Sequence, residues 1–299
     1  MAKLIIFDTE TTGLNEEDRI IQIGAIISEL GNPNYFEEPY NELCSTDIPI
    51  KIESISIHGI RQKDIDDKPL FSQTNFKKRF DELNSEENYL IAHNIDFDKR
   101  MLEKEGYKDK INCKLIDTYQ CALHLYEIAE EINDYKLPNH KLQTFRYIFF
   151  NENQEEQEAK KYNVEIKAHD AIGDVVILKM FLGKLYLRTI QKMFPQFSGK
   201  LKELSLKNQQ EVFDKMVELS EKLAFVNKFI NINDLNKELQ LTEIEKITFP
   251  FAWVTSGPEY IDWLFKKEKE KKEKKYKNFD KNLFFTLEMI KKNRASSEF

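Results

Sequence analysis

Apolar and polar positions alternate with period two over the first 45 residues, which predicts three strands: "KLIIFDT" (Lys3–Thr9), "RIIQIGAIISE" (Arg19–Glu29) and "YFEEPYNELC" (Tyr35–Cys44). Turn-rich "GLNEED" and "GNPN" separate them, and links this short favour antiparallel neighbours. The spacing then lengthens. Phe71, Phe76, Phe80 and Leu83 fall at helical intervals after a loop containing "IHGI" (Ile57–Ile60). "YLIAH" (Tyr89–His93) has the short apolar run of a buried strand and leads into a helix, "FDKRMLEKEG", with Gly106 as its natural stop. "KLID" (Lys114–Asp117) is a further short strand. Helices are expected over about 118–132 and 140–149, then a polar acidic link, "NENQEEQEAK", then a long apolar helix face in "HDAIGDVVILKMFLGKLYL" (His169–Leu187). Antiparallel strands followed by strands alternating with helices predict an α/β domain: a mixed five-stranded sheet with flanking helices.

Beyond residue 187 the pattern changes twice. Residues 188–245 are amphipathic and helical, as in "QEVFDKMVELSEKLAFVNKF" (Gln210–Phe229), and form a connector. Residues 246–299 make a smaller C-terminal module with Trp253, Trp263, a Gly-Pro turn at 257–258 and a run, Lys266–Lys277, of eight lysines and three glutamates. The closing "ASSEF" carries no signal.

The composition, 41% apolar and 12% aromatic over 299 residues, suits a globular chain with a sizeable core. No apolar run approaches the length of a membrane span, and the N-terminus enters a strand without a signal peptide, so the expected location is cytoplasmic with no membrane partner. Cys44, Cys113 and Cys121 lack CxxC spacing, which argues for reduced thiols rather than a disulfide frame or zinc ribbon. The net charge of −7 conceals an asymmetry: residues 1–187 carry 23 basic against 35 acidic side chains, residues 188–299 carry 22 against 17. An acidic first part suits bound cations, and a basic second part suits an anionic partner such as nucleic acid.

Asp8 and Glu10 stand two apart at the end of the first strand, so both carboxylates leave on one face. Two unit charges about 4 Å apart repel by roughly 4 kcal/mol at an effective dielectric near 20, and such a pair calls for protonation, a basic partner or a metal. Two later stretches add acids: "HNIDFD" (His93–Asp98) where a buried strand opens into a helix, and "HDAIGDV" (His169–Val175) at the start of another. Together "FDTETTG", the NxxFD stretch and HxxxxD resemble, in that order, the three motifs of the DEDD-type 3′-to-5′ exonucleases, the family of the DNA polymerase III proofreading (epsilon) subunit. The resemblance covers about residues 3–187 and implies a ribonuclease H-like fold, in keeping with the element order.

By that resemblance Asp8, Glu10, Asp98 and Asp174 are the four metal-holding carboxylates, while Asp96 and Asp170 are solvated surface charges. Two Mg²⁺ or Mn²⁺ ions are implied, because oxygen-only donors select hard cations and a pair of ions stabilises both the attacking and leaving oxygens of an in-line displacement. Asp8 would bridge the ions, Glu10 and Asp174 complete the first, and Asp98 support the second. His169, rather than the tyrosine of the sister branch, marks the histidine-type subclass and is the expected base, since an imidazole is largely neutral at pH 7. The substrate implied is DNA with a free 3′ end, RNA being the alternative. Thr11, Thr12, Gly13 and Leu14 would meet the terminal sugar, Asn94 the nucleotide, and His58 its pocket, with a purely structural role for His58 equally open. Phe97 is a stacking surface or a core residue. His93 is expected to be a satisfied strand-end residue, and His124 and His140 surface or capping residues. "GPEYIDWLF" (Gly257–Phe265) resembles the C-terminal module of exodeoxyribonuclease X-like proteins, and the region beyond 187 is a candidate contact for a polymerase or repair partner.

Overall fold

The computed structural model describes residues 1–228 except 128, 167, 168, 198 and 200–203. The expectations for Trp253, Trp263, Gly257–Phe265 and Lys266–Lys277 therefore lie outside the described residues. Residues 1–125 and 141–217 form one compact unit, and residues 126–140 belong with 218–299 in a second.

The first unit is built on five strands in the order β3–β2–β1–β4–β5. Strands β1 (Lys3–Thr11), β2 (Ile20–Glu29) and β3 (Glu38–Leu43) are antiparallel neighbours, whereas β4 (Tyr89–Ala92) runs parallel to β1 and β5 (Lys114–Asp117) parallel to β4. This is the mixed sheet that the alternation of elements predicted. Between β3 and β4 lie α1 (Ile52–His58), α2 (Gln62–Ile65) and α3 (Asn75–Leu83), and α4 (Ile95–Leu102) joins β4 to β5. The unit then continues with α5 (Thr118–Leu125), α6 (Leu142–Phe149), α7 (Glu152–Tyr162) and α8 (Ala171–Met193). The last described helix is α9 (Leu206–Lys228).

Because β1 lies in the middle of the sheet, Leu4, Ile5, Ile6 and Phe7 are all buried, which explains their continuous apolar run. Ile5 and Phe7 face one layer, packing with Ile23, Ala25, Leu90 and Ala92 against Phe76 and Phe80 of α3 and Met101 and Leu102 of α4. The alternate residues face α8, which crosses β1 and β2. Gly24 is the point of closest approach. It pairs with Asp8 across the ladder, and a β-carbon there would lie 2.4 Å from the main chain of Ala171. Only glycine lets the first turn of α8 rest directly on β2.

Several boundaries differ from the sequence expectation. The helix expected over 118–132 stops at Leu125, and the second unit holds instead a small hairpin, β6 (Glu131–Ile132) and β7 (Tyr135–Lys136). Asn133 and Asp134, both with left-handed backbone, make its two-residue turn, so turn chemistry overrode a glutamate-rich helical composition. The acidic stretch at 151–160 is not a link but most of α7, started by Asn151, which accepts from the Gln154 amide while Gln154 reaches back to the Asn151 N–H. "IHGI" ends a helix rather than lying in a loop, since α1 runs to His58 and Gly59 closes it with φ 75°. The helix expected from Phe71 begins only at Asn75, where the Thr74 hydroxyl caps it by accepting from the Lys77 amide. The helix starting at 171 continues past Leu187 to Met193. No described helix is long and apolar enough to cross a membrane.

Candidate active site

The site forms where β1 leaves the core. Pairing with β2 is regular through Glu10 and shifts register between Glu10 and Thr11, so the strand ends with Asp8 and Glu10 on the α8 side. Asp174 lies in the first turn of α8, brought there by the Gly24 contact. The result is a cluster: carboxylate oxygens of Asp8, Glu10 and Asp174 lie within 4.8 Å of one another. Asp98 approaches from α4 and is held by Thr9, between the two strand acids, whose main-chain N–H (3.0 Å) and hydroxyl (2.6 Å) both donate to Asp98 Oδ1. That leaves Oδ2 for another partner.

Asp174 is itself held from two directions. The Gln143 side-chain amide donates to Oδ1 at 2.7 Å and the His169 main-chain N–H to Oδ2 at 3.3 Å. Gln143 Oε1 in turn accepts from Arg146 at 3.4 Å, and Arg146 forms a paired contact with Glu155 at 2.9 and 2.5 Å.

These acids repel one another in a poorly solvated place. Burial, followed by the charges of Asp98, Glu10, Asp174 and Asp170, pushes the Asp8 carboxyl well above its ordinary range. Burial and then Asp174, Asp98 and Asp170 raise Glu10 to about 8. Burial lifts Asp98 to about 7 against the opposing Thr9 hydrogen bonds. Asp174 is also raised, chiefly by burial, with His169 pulling the other way. Among the described residues none of the four makes a salt bridge. Carboxylate oxygens gathered without a cationic side chain fit a hard divalent cation, which would turn their repulsion into attraction.

His169 is exposed, on the turn just ahead of α8, with φ 57°. Asp170 is not the solvated charge expected: it is half-buried, and its Oδ1 accepts from the Gln22 side chain at 2.7 Å. Gln22 Oε1 also meets the Ala171 N–H at 3.4 Å, so a residue of β2 secures the start of α8. Asp96 is exposed, as expected.

The expected substrate residues surround the cluster unevenly. Thr11, the last residue of β1, and Thr12 and Gly13 just after it are buried, whereas Leu14 is 74% exposed. His58 Nδ1 accepts from the Ile60 N–H at 3.0 Å, which places its proton on Nε2, facing the Thr11 carbonyl at 3.3 Å. Asn94 is exposed with φ 69°, and its N–H donates to the buried Asp117 Oδ1 at 2.9 Å. Phe97 packs partly buried against the core. His93 is satisfied by the Thr118 hydroxyl at 2.9 Å, while His140, for which a surface or a capping role was expected, is buried with Nε2 2.9 Å from the Tyr126 carbonyl just after α5. Thr9, Gln22 and Gln143 were not singled out by sequence reasoning. Thr9 alone had a signal, lying inside the strand-end motif.

An all-carboxylate cluster at the mouth of a mixed sheet, flanked by a histidine, has the donor set of a divalent-cation site. The family model for exonucleases, RNase T, matches residues 5–182, and the chain belongs to that family. It is similar to the DNA polymerase III subunit epsilon of Haemophilus influenzae, at 34% identity over 134 residues, covering 41% of this chain and 50% of the relative. The epsilon subunit of Buchnera aphidicola from Acyrthosiphon pisum is 27% identical over 202 residues, 62% of this chain and 71% of that one. The chain thus spans only half the length of the Haemophilus relative. A solved structure of exonuclease X in complex with 5′ overhanging duplex DNA is similar at 18% identity and a TM-score of 0.42, covering 71% of this chain and 99% of that one.

Proposed function

We propose that this protein is a metal-dependent 3′-to-5′ exonuclease that removes nucleoside 5′-monophosphates from the 3′ end of DNA. The observation that carries the reading is the convergence of Asp8, Glu10 and Asp174 within 4.8 Å, beside an Asp98 anchored by Thr9. Two Mg²⁺ or Mn²⁺ ions held there would stabilise the attacking and leaving oxygens of the phosphodiester. Asp8, Glu10 and Asp174, with Asp98 beside them, would hold the ions. His169 takes the proton of the attacking water, from an exposed turn adjacent to Asp174. Thr11–Leu14, Asn94 and His58 line the terminal nucleotide, with Leu14 the exposed apolar side chain against its base. The excess of basic residues after 187 supports contact with DNA or with a polymerase or repair partner in the cytoplasm.

End-labelled single-stranded DNA, duplex DNA and RNA of one sequence, each with Mg²⁺, Mn²⁺ or EDTA, test this reading. Stepwise shortening of DNA from the 3′ end, abolished by EDTA, is expected. Degradation of RNA with DNA left intact would assign the chain to RNA trimming instead. Polymerase capture without measurable hydrolysis would make it a binding subunit.

A further inference from the structure

Asp18 is fully buried, carries a charge, and takes no part in the carboxylate cluster. It belongs to the segment leading from β1 to β2, and it takes two donors from that segment and a third from Lys51, just ahead of α1. Oδ1 accepts from the Thr12 hydroxyl at 2.9 Å, while Oδ2 accepts from the Asn15 N–H at 2.6 Å and from Lys51 Nζ at 2.6 Å. Lys51 also grips the segment through its main chain, its N–H donating to the Thr12 carbonyl at 2.9 Å. The carboxylate and the lysine stem press on Gly13 from outside. A β-carbon there would lie 2.5 Å from Asp18 Oδ2 and 2.7 Å from Lys51 Cδ. Lys104 of the turn after α4 completes the enclosure by donating to the Asn15 carbonyl at 2.6 Å.

This arrangement occupies the carbonyls and leaves amides open. The carbonyls of Thr11, Thr12, Gly13 and Asn15 all accept hydrogen bonds, from His58, Lys51, the Thr11 hydroxyl and Lys104 respectively. The N–H groups of Gly13 and Leu14 have no acceptor among the described residues. Gly13 is buried and Leu14 is exposed, and a buried amide without an acceptor is costly, so the Gly13 N–H at the edge of the site is placed to meet an external oxygen. We infer that Asp18, braced by Lys51, is the positioning residue that fixes Thr12–Leu14 for recognition of the substrate's terminal 3′ hydroxyl. The inference rests on the exonuclease reading above and adds to it a residue outside the metal-binding motifs.

Asp18→Asn preserves shape and removes the charge. Hydrolysis in Mg²⁺ of a 5′-labelled DNA strand ending in a 3′ hydroxyl is compared with the same strand ending in a 3′ phosphate. For the hydroxyl end, KM should rise about tenfold, the scale of one charge-assisted hydrogen bond, with kcat within about twofold of wild type. Wild type should favour the hydroxyl end, and the variant should lose that preference by a similar factor while Mn²⁺ affinity is unchanged. Lys51→Met, at a partly exposed side chain, should show the same split, whereas Lys51→Arg, which keeps the charge, should behave largely as wild type. Fluorescence anisotropy of the two strands in Ca²⁺ reads the same preference without turnover. An unchanged KM, equal losses on both ends, or a parallel fall in Mn²⁺ affinity would reduce Asp18 to a structural residue and overturn the inference. A wild type that hydrolyses neither strand would sink the exonuclease reading, and the anisotropy contrast would then decide the role of Asp18 by itself.

Discussion

Asp98 and Asp18 are almost equally hidden, 3% and 0% exposed, yet their carboxyls are driven in opposite directions. Burial is the strongest single influence on both and pushes upward in both. Asp98 rises to about 7 because the Thr9 donors do not compensate, whereas Asp18 falls below its ordinary range because Lys51, the Asn15 N–H and the Thr12 hydroxyl together outweigh burial. One region of the molecule buries an acid with its cation. The other buries several acids without one. The difference separates an acid that holds the fold together from acids kept for a cation supplied from outside, and no count of carboxylates along the chain makes that distinction.

The harshest way to break the contrast is to delete the acid at its centre. Asp8→Ala should reduce hydrolysis by about a thousandfold or more, since a bound dication contributes several kcal/mol to the transition state. The same change should raise the melting temperature in EDTA by roughly 2–4 °C, about 1 kcal/mol for a chain of this size, because it relieves repulsion. Equal melting temperatures for the two proteins under chelator would mean that the acids are not crowded. Next comes Gly24→Ala, which leaves every acid in place but forces α8 away from β2. A displacement near 1 Å is enough for about a hundredfold loss of rate, and overpacking costs about 1–3 kcal/mol. Wild-type turnover in this variant would show that the close contact does not place Asp174.

Neutralising the two buried aspartates separately sharpens the comparison through its sign. In EDTA at neutral pH, Asp98→Asn should stabilise the protein and Asp18→Asn should destabilise it by about 1–3 kcal/mol, the lower end being favoured because Lys51 remains partly hydrated. Chemical denaturation reads both, and shifts of the same sign would erase the distinction.

The pH dependence follows from the same shifts. Glu10 and Asp98 keep their protons to about 8 and 7 in the folded chain but release them near 4.5 and 3.8 when unfolded. The folded form therefore binds more protons across that window, and the contribution of these groups to stability falls as pH rises through it. In EDTA the melting temperature should drop between about pH 5.5 and 8, and saturating Mn²⁺ should flatten the slope. A chelated protein that grows more stable over this range would contradict the shifts. The smallest effect belongs to Asp96→Asn, on an exposed helix position, expected within about 0.5 kcal/mol and without influence on rate.

How far the sequence revealed all this depended on the distance between partners. The mixed sheet was legible because β1, β2 and β4 write their burial directly into apolar runs. Asp8, Glu10, Asp98 and Asp174 were legible because each sits at a strand end or helix start with a short motif around it. Helix α7 was missed because Ala159, Tyr162 and Glu155 are its only buried residues, too few to mark an apolar face, and its cap at Asn151 was the available clue. The 131–136 hairpin was missed because a glutamate-rich stretch outweighed the Asn-Asp turn. Gln22 and Thr9 were illegible for another reason: their partners Asp170 and Asp98 lie 148 and 89 residues away, and only the closed sheet brings them together.

The central claim is that the strand-end acids and their helix-borne partners form one divalent-cation site. Calorimetric titration of the metal-free protein with Mn²⁺ near neutral pH tests it most directly, in two buffers of different ionisation enthalpy so that released protons are counted. The account predicts saturable binding of two ions per chain with net proton release, and loss of at least one ion in Asp8→Ala. Absence of saturable binding in the wild type, or an unchanged isotherm in the variant, would contradict it.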